Sequence, residues 1–494
     1  MHEQIFSLQN GSDIRGVCTE GYNDEKVNLT PEIAYKIGAA FALFLKEEKK
    51  IDSPLICIGN DSRISAKELG GAVIDGLCSQ NATVKYFGLC TTPAMYCATK
   101  PNMMNADGSI MLTASHLPYN RNGMKFFTKD GGLDKQDINK LLTLSTGLST
   151  GKHVDNFVET VDFLSDYAQS LVDYVRQKTL CSCPFEGVKI VVDAGNGAGG
   201  FFVDKVLTTL GADTEGSVFL DPDGYFPNHI PNPENADVMA DFSEIVRKTK
   251  ADLGVIFDTD VDRAALVDEN ASPVARNKLI ALMSEIVLES YPQTYIVTDS
   301  VTSTELTSYI ERRSGVHHRF KRGYNNIIKE AKKLNAENKE CHIAIETSGH
   351  CAIKENDFLD DGAFLIVEVL IKYYFMKQKG QKITDILSDY HDPAESEELR
   401  FTILEDDFKP YAEKLLEDFK AFISDKKGYS VVSPNYEGIR INADKENGNG
   451  WALMRMSLHD PVIPINIESD EVGGVKLIKD MLLTFIGKYN LKLK

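Results

Sequence analysis

Residues able to do chemistry gather in a few short segments of this 494-residue chain. In Met111-Leu112-Thr113-Ala114-Ser115-His116-Leu117-Pro118 an apolar run ends in a small-residue turn that is expected to expose a serine hydroxyl beside His116. Lys125 follows in Asn122-Gly123-Met124-Lys125-Phe126. A serine that carries phosphate between turnovers needs access, nearby positive charge and a partner that can shuttle a proton, and Lys125 and His116 could supply these. The segment alone also reads as a serine turn at a strand end with an unrelated histidine. A G-x-S-x-G hydrolase elbow is not present in it.

The second segment, Asp258-Thr259-Asp260-Val261-Asp262-Arg263, directly follows the apolar run Leu253 to Phe257. Alternate carboxylates project to one side, and at about 4 Å each pair repels by roughly 4 kcal/mol at an effective dielectric of about 20. Something cationic has to hold them together. A hard divalent ion with oxygen ligands, Mg²⁺ by default, fits where a phosphoryl group completes the coordination. An EF-hand would place Asp258, Asp260, Asp262 and Glu269 at positions 1, 3, 5 and 12, but Arg263 stands where that loop needs glycine, and the flanks read as strands. A solvated acidic loop is the plain alternative.

In Ala344-Ile345-Glu346-Thr347-Ser348-Gly349-His350 a strand runs into a polar loop able to hydrogen-bond adjacent sugar hydroxyls, as many strand-to-turn junctions could. Two more stretches could hold an anion. Arg15 sits between glycines in Gly11-Ser12-Asp13-Ile14-Arg15-Gly16, and Arg455, Ser457 and His459 share one side of an extended segment. Surface ion pairs are the plain reading of Arg15 and Arg455. The loop Asp193 to Gly200 lacks the G-x-G-x-x-G spacing and reads as a tight strand-to-helix turn. His317-His318, Cys341-His342 and His350-Cys351 match no zinc spacing, so core or surface roles are expected.

These loops need rigid elements beneath them. β-branched runs at Leu55 to Ile58, Val188 to Val192, Leu253 to Phe257 and Tyr295 to Val297, each followed by a loop and a helical pattern, predict α/β layers. Helices are expected over Pro31 to Glu48, with Thr30 as cap, and over Phe364 to Lys377. Strands are expected over Ala264 to Val267 and Ala452 to Met456, and a helix over Asp407 to Ser424. At about 150 residues per domain the length predicts three or four domains. Boundaries fall near Asp155 to Val161, Asn270 to Pro273 and His391 to Glu398.

With 73 acidic and 54 basic residues the formal charge is −19, a field that repels nucleic acid and anionic lipid, so neither is an expected partner. An anionic substrate must then be caught by a few local Arg, Lys and backbone N–H groups. The 9 cysteines are scattered without a CxxC pair, as reduced core cysteines are. The longest apolar run, Phe364 to Phe375, is broken by Glu368 and Lys372, and Met1-His2-Glu3-Gln4-Ile5 has no leader pattern. A soluble, cytoplasmic protein is expected.

Taken in order, the segments resemble the α-D-phosphohexomutase superfamily, most closely its phosphomannomutase/phosphoglucomutase branch. The resemblance spans almost the whole chain. It runs from Ser12-Asp13-Ile14-Arg15-Gly16 through Thr113-Ala114-Ser115-His116, Asp258-Thr259-Asp260-Val261-Asp262-Arg263, Arg322-Gly323-Tyr324 and Glu346-Thr347-Ser348-Gly349-His350 to Arg455-Met456-Ser457. It implies three α/β/α domains, over residues 1–158, 159–270 and 271–390, and a C-terminal TATA-box-binding-protein-like α+β domain over 391–494, each giving one loop to a central cleft. It further implies an intramolecular phosphotransferase that interconverts hexose 1-phosphate and hexose 6-phosphate, of glucose or mannose, with hexose 1,6-bisphosphate as intermediate and activator.

By the same resemblance Ser115, His116, Lys125, Arg15 and Arg263 are the catalytic set. Ser115, Asp258, Asp260 and Asp262 hold Mg²⁺, while Gly323, Tyr324, Glu346, Ser348, His350, Arg455, Ser457 and His459 bind substrate. Three departures stand out. Leu458-His459 follow Ser457 where the family has Gly/Asn-Thr, Leu117-Pro118 replaces Asn-Pro, and Thr298-Asp299-Ser300-Val301-Thr302 lacks the lysine of an Asp-x-Lys pattern. A glucosamine- or N-acetylglucosamine-phosphate mutase, which shares the Glu-x-Ser-Gly-His loop, and a catalytically silent sugar-phosphate-binding homologue are the alternatives.

Overall fold

A proline at the first helical position follows a threonine cap in the segment Thr30-Pro31, and a helix begins there. In the computed structural model, which describes residues 5–151, 158–457 and 460–494, Pro31–Lys49 is helical and the Thr30 hydroxyl accepts from the Ile33 N–H at 3.4 Å. This helix crosses Ala66–Ser79 at two glycines. A methyl on Gly76 would lie 2.0 Å from the Tyr35 carbonyl oxygen, and one on Gly38 2.4 Å from that of Val73. Gly76→Ala is therefore expected to destabilise the protein by about 1–3 kcal/mol in denaturant unfolding, since backbone would have to move.

Beneath the two helices Leu55–Asn60 pairs in parallel with Thr83–Leu89 and Gly108–Leu112, and Arg121–Thr128 adds antiparallel to the latter. Asp13–Val17 extends the sheet beyond Arg121–Thr128. Ile56, Ile58, Ile110, Leu112, Met124 and Phe126 fill the core with Phe41 and Leu45 of the first helix. A second sheet sets Ile190–Asp193 parallel to Leu253–Phe257, followed antiparallel by Ala264–Val267 and Pro273–Val274. The strand expected from Val188 starts at Ile190, because Val188 N–H turns back to the Phe185 carbonyl. The glycine-rich loop is a tight turn as read, and it runs into a π-helical turn at Phe202–Leu207. A hairpin, Cys351–Ile353 with Leu359–Asp360, leads to the helix Gly362–Gln378. That helix starts before the expected Phe364 because Asp361 caps it, accepting from the Phe364 N–H at 2.9 Å. These elements belong to one compact unit, residues 1–276 with 348–385.

The other unit comprises residues 277–347 and 386–494. In it Tyr295–Thr298 lies parallel between Val316–Arg319 and Cys341–Ile345. The helices Asn277–Ser290, Thr304–Arg312 and Tyr324–Ala336 accompany these strands. His317 bridges the hydroxyls of Thr298 and Thr307 at 2.8 and 2.7 Å, and His318 meets Glu330 at 3.1 Å, so neither histidine is set as a zinc ligand. A six-stranded antiparallel sheet follows, in the order Tyr429–Val431, Ile439–Ala443, Gly450–Met454, Val462–Ser469, Glu395–Ile403, Leu491–Leu493. The helices Phe408–Ser424 and Gly474–Ile486 pack on it through Leu415, Phe419, Ile478 and Leu482. The fold is thus three α/β layers and a C-terminal α+β sheet. Among the described residues no helix is long and apolar enough to cross a membrane.

Candidate active site

Two parallel-strand ends meet in the first unit. Gly108–Leu112 runs out into the Ser115 turn and Leu253–Phe257 into the acidic loop. Ser115 sits at φ 51, with its N–H donating to the Thr113 hydroxyl at 2.9 Å. Its hydroxyl donates to Asp258 Oδ2 at 2.7 Å and accepts from Arg263 Nη2 at 2.7 Å. His116 Nδ1 lies 3.3 Å from the same oxygen and 2.6 Å from Arg263 Nη2. The exposure expected of Ser115 is not found: the residue is 4% exposed, because Asp258 and Arg263 close over the hydroxyl.

The three aspartates are buried, and one carboxylate oxygen from each falls within 4.8 Å of the others. Val261 between them is at φ 66, left-handed backbone that costs a β-branched residue on the order of 1–3 kcal/mol. The cation required by the sequence is partly on the chain itself. Lys125 Nζ lies 2.9 Å from Asp260 Oδ2 and also pairs with Asp262 Oδ2, while Arg263 pairs with Asp258 at 2.9 Å. The Thr92 hydroxyl donates to Asp260 Oδ2 at 2.5 Å. Two buried oxygens, Asp260 Oδ1 and Asp262 Oδ1, have no hydrogen-bond partner among the described residues. Such oxygens suit a metal ion, which could be held here in place of a hydrogen bond.

Burial and the neighbouring Asp262 push Asp258 up to about 8 against the pull of Arg263. Burial acts the same way on Asp262, but Lys125, His350 and Arg263 outweigh it and hold that carboxyl well below the usual range. The two imidazoles diverge. Burial, Arg263 and Arg15 drive His116 down to about 2, whereas Asp360 and Asp262 overcome burial and raise His350 to about 9. His350 Nδ1 is 2.6 Å from Asp360 Oδ2 and 3.9 Å from Asp262 Oδ1. Arg15 pairs with Asp13 at 3.0 Å, but with Asp13 only 4% exposed this is a largely buried pair and not the surface pair of the plain reading.

Several site residues escaped the sequence reading: Asp61, Arg63, Thr92, Thr113, Thr259 and Asp360. Arg63 is 2% exposed, pairs with Asp61 at 3.2 Å and gathers carbonyls of the Ser115 loop. The segment Asp61-Ser62-Arg63 stands directly after the strand Leu55–Asn60, where ligand-binding groups of α/β sheets collect, and that position was the available signal.

The residues expected to hold the sugar and its distal phosphate lie in the second unit, apart from Ser348 and His350 in the first. Gly323, at φ 113, donates its N–H to Glu346 Oε1 at 2.5 Å, and Tyr324 opens the helix behind it. Thr347 donates to Asp299 Oδ2 at 2.7 Å. Glu437 accepts from the Arg322 N–H at 3.2 Å and from the Ser300 hydroxyl, in the loop that lacks the expected lysine. Arg455 lies just past the strand Gly450–Met454, its N–H donating to the Pro464 carbonyl at 3.2 Å, and its buried Nε has no hydrogen-bond partner among the described residues. The Ser457 N–H donates to the Val462 carbonyl at 3.0 Å. Leu458 and His459 lie outside the described residues, as do residues 155–157 of the expected boundary at Asp155 to Val161.

Family models for phosphoglucomutase/phosphomannomutase α/β/α domains I, II and III match residues 7–147, 165–271 and 275–392. A phosphoglucomutase/phosphomannomutase of Thermococcus kodakarensis is 31% identical over 95% of this chain and 98% of its own. A phosphomannomutase/phosphoglucomutase of Pseudomonas putida is 29% identical over 97% and 95%. The crystal structure of a phosphoglucomutase/phosphomannomutase family protein from Burkholderia thailandensis superposes with a TM-score of 0.80 at 24% identity, covering 99% of both chains. An N-acetylglucosamine-phosphate mutase structure is more distant, with a TM-score of 0.54 at 15% identity over 90% of this chain and 79% of that one.

Proposed function

The chain belongs to the phosphoglucomutase/phosphomannomutase family and is a phosphohexomutase, and from that premise we propose that Ser115 carries the phosphoryl group exchanged between the C1 and C6 oxygens of glucose or mannose phosphate. The observation that supports this most directly is the Ser115 hydroxyl bonded at 2.7 Å both to Asp258 and to Arg263, beside two further buried aspartates. A serine turn with an unrelated histidine has no need of that set. A silent binder has no need of a nucleophile so surrounded.

The oxygen-only donor set and the two aspartate oxygens without a hydrogen bond among the described residues support Mg²⁺, with Asp258, Asp260, Asp262 and the phosphate on Ser115 as its ligands. When bound, the ion neutralises charge on the transferring oxygens. Arg263 keeps a guanidinium N–H on Ser115 Oγ, where negative charge develops as the phosphoryl group leaves. His116 Nδ1 is held unprotonated against Arg263 Nη2, which makes it an orienting acceptor for that guanidinium. His350, held protonated by Asp360 and Asp262, can donate to an oxygen of the substrate. Lys125 fixes Asp260 and Asp262 and with Arg15 adds positive potential.

Glu346, Ser348, Gly323 and Tyr324 are read as sugar contacts, and Arg455, Ser457 and His459 as contacts of the non-reacting phosphate. A hexose 1,6-bisphosphate formed on the first transfer turns around and returns its other phosphate to Ser115. The matched ranges support the first three domains, over 1–158, 159–270 and 271–390, and 391–494 is read as a fourth. None of the nine cysteines is in a disulfide, which supports a reducing, cytoplasmic setting.

A coupled assay on glucose 1-phosphate, mannose 1-phosphate and glucosamine 6-phosphate, with glucose 1,6-bisphosphate present, tests the substrate assignment. Glucose or mannose phosphate is expected to exceed glucosamine phosphate by at least about 10-fold in kcat/KM, since a misplaced polar contact costs about that much. Preference for the amino sugar, or turnover of none of the three, would overturn it.

A further inference from the structure

The Ser115 loop presents four carbonyl oxygens to one point, and the group standing there is a single guanidinium. Arg63 Nη1 donates to the carbonyls of Pro118 and Arg121, each at 2.8 Å, and Nη2 to those of Leu117, at 2.7 Å, and Ser115. Nε donates to Asp61 Oδ2 at 3.2 Å, so all five N–H groups are used. Asp61 in turn accepts from the Thr113 hydroxyl at 2.7 Å, and Thr113 accepts from the Ser115 N–H. The backbone on both sides of the nucleophile thus traces back to one buried ion pair.

We propose that Arg63 is a positioning residue for phosphoryl transfer, shaping the loop that carries Ser115 and acting with Asp61 and Thr113. The proposal rests on the reading that Ser115 carries the phosphoryl group. Four convergent carbonyl dipoles repel one another, and a left-handed serine is itself held against preference. Only a planar fork with donors on both ends satisfies four acceptors at once; a lysine brings three donors from a single nitrogen. The acidic loop joins the same arrangement, because the Thr259 hydroxyl donates to the Ser115 carbonyl at 2.9 Å. From the second sheet's side the Phe226 ring lies 5.2 Å from the Arg63 guanidinium carbon. A methyl on Gly224 would lie 2.4 Å from Ile64 N and Ser62 O, so the two segments touch backbone to backbone. Arg63 therefore fixes the distance between the nucleophile and the carboxylates without touching either reacting oxygen.

The test uses the full chain with Arg63→Lys and, as a gentler change that spares the ion pair, Thr113→Val. For each variant four quantities are measured: kcat, KM for hexose 1-phosphate, the rate at which dephosphorylated enzyme takes phosphate from glucose 1,6-bisphosphate, and Mn²⁺ binding. Arg63→Lys is expected to lower kcat and the rephosphorylation rate together by about 10²-fold, the loss typical of a nucleophile displaced by about 1 Å, with KM changed less than about 3-fold. Thr113→Val should lower both rates by about 10-fold. Mn²⁺ binding should persist in both, since the aspartates are untouched. Should Arg63→Lys fail to fold, Thr113→Val decides. Rates within about 3-fold of the parent, or losses matched by loss of Mn²⁺ binding, would overturn the positioning role. If the parent enzyme itself never carries phosphate on Ser115, the reading beneath the proposal has failed instead.

Discussion

Ser115→Ala is expected to lower mutase turnover by at least about 10⁴-fold, since it deletes the atom that bonds to phosphorus in both half-reactions. The rest of the site should survive the change. Arg263 and Asp258 remain paired with each other at 2.9 Å, so neither charge is left buried alone. Substrate affinity should move by only about 3-fold, because Ser115 is not among the sugar contacts. Intact-mass spectra of the variant should lack the phosphoryl increment expected of the parent protein. Turnover retained above about 1% of the parent's would show that another group carries the phosphate.

The second large effect belongs to Asp260, whose side chain is buried with one oxygen on Lys125 and Thr92 and the other without a hydrogen-bond partner among the described residues. Asp260→Asn keeps the shape and removes the charge. Turnover titrated against Mg²⁺ should then require about 10–100-fold more metal, and kcat at saturation should fall by about 10²–10³-fold. Chelation of the parent enzyme should abolish activity and re-added Mg²⁺ restore it. A residue present only to pair with Lys125 would change stability and leave the metal requirement where it was. An unchanged Mg²⁺ titration in Asp260→Asn would therefore remove the metal from this loop.

Local chemistry in the sequence was enough for the strands that deliver the site. Leu253–Phe257 and Ala264–Val267 lie where the apolar runs put them, each run ending where a charged residue follows it. Pro31 after Thr30 gave the start of its helix for a similarly local reason. Partner choice across the chain was not legible. Lys125 reads as a cation near Ser115, yet its bonds go to Asp260 and Asp262, more than a hundred residues away. The burial of Ser115 comes from Asp258 and Arg263, on a different sheet. Arg63 passed unnoticed because nothing in Asp61-Ser62-Arg63 says which carbonyls will surround it. Asp361 could have been read as a helix cap before Gly362, which would have moved the expected start of that helix back from Phe364.

One chase experiment addresses the phosphoserine most directly. Enzyme labelled with radioactive phosphate on Ser115 is mixed with excess unlabelled hexose 1-phosphate and stopped within one turnover. Label should leave the protein for the sugar pool at a rate no slower than kcat, leaving Ser115 rephosphorylated by unlabelled phosphate from the sugar. Label that stays on the protein while product accumulates would contradict a phosphoryl group exchanged through Ser115.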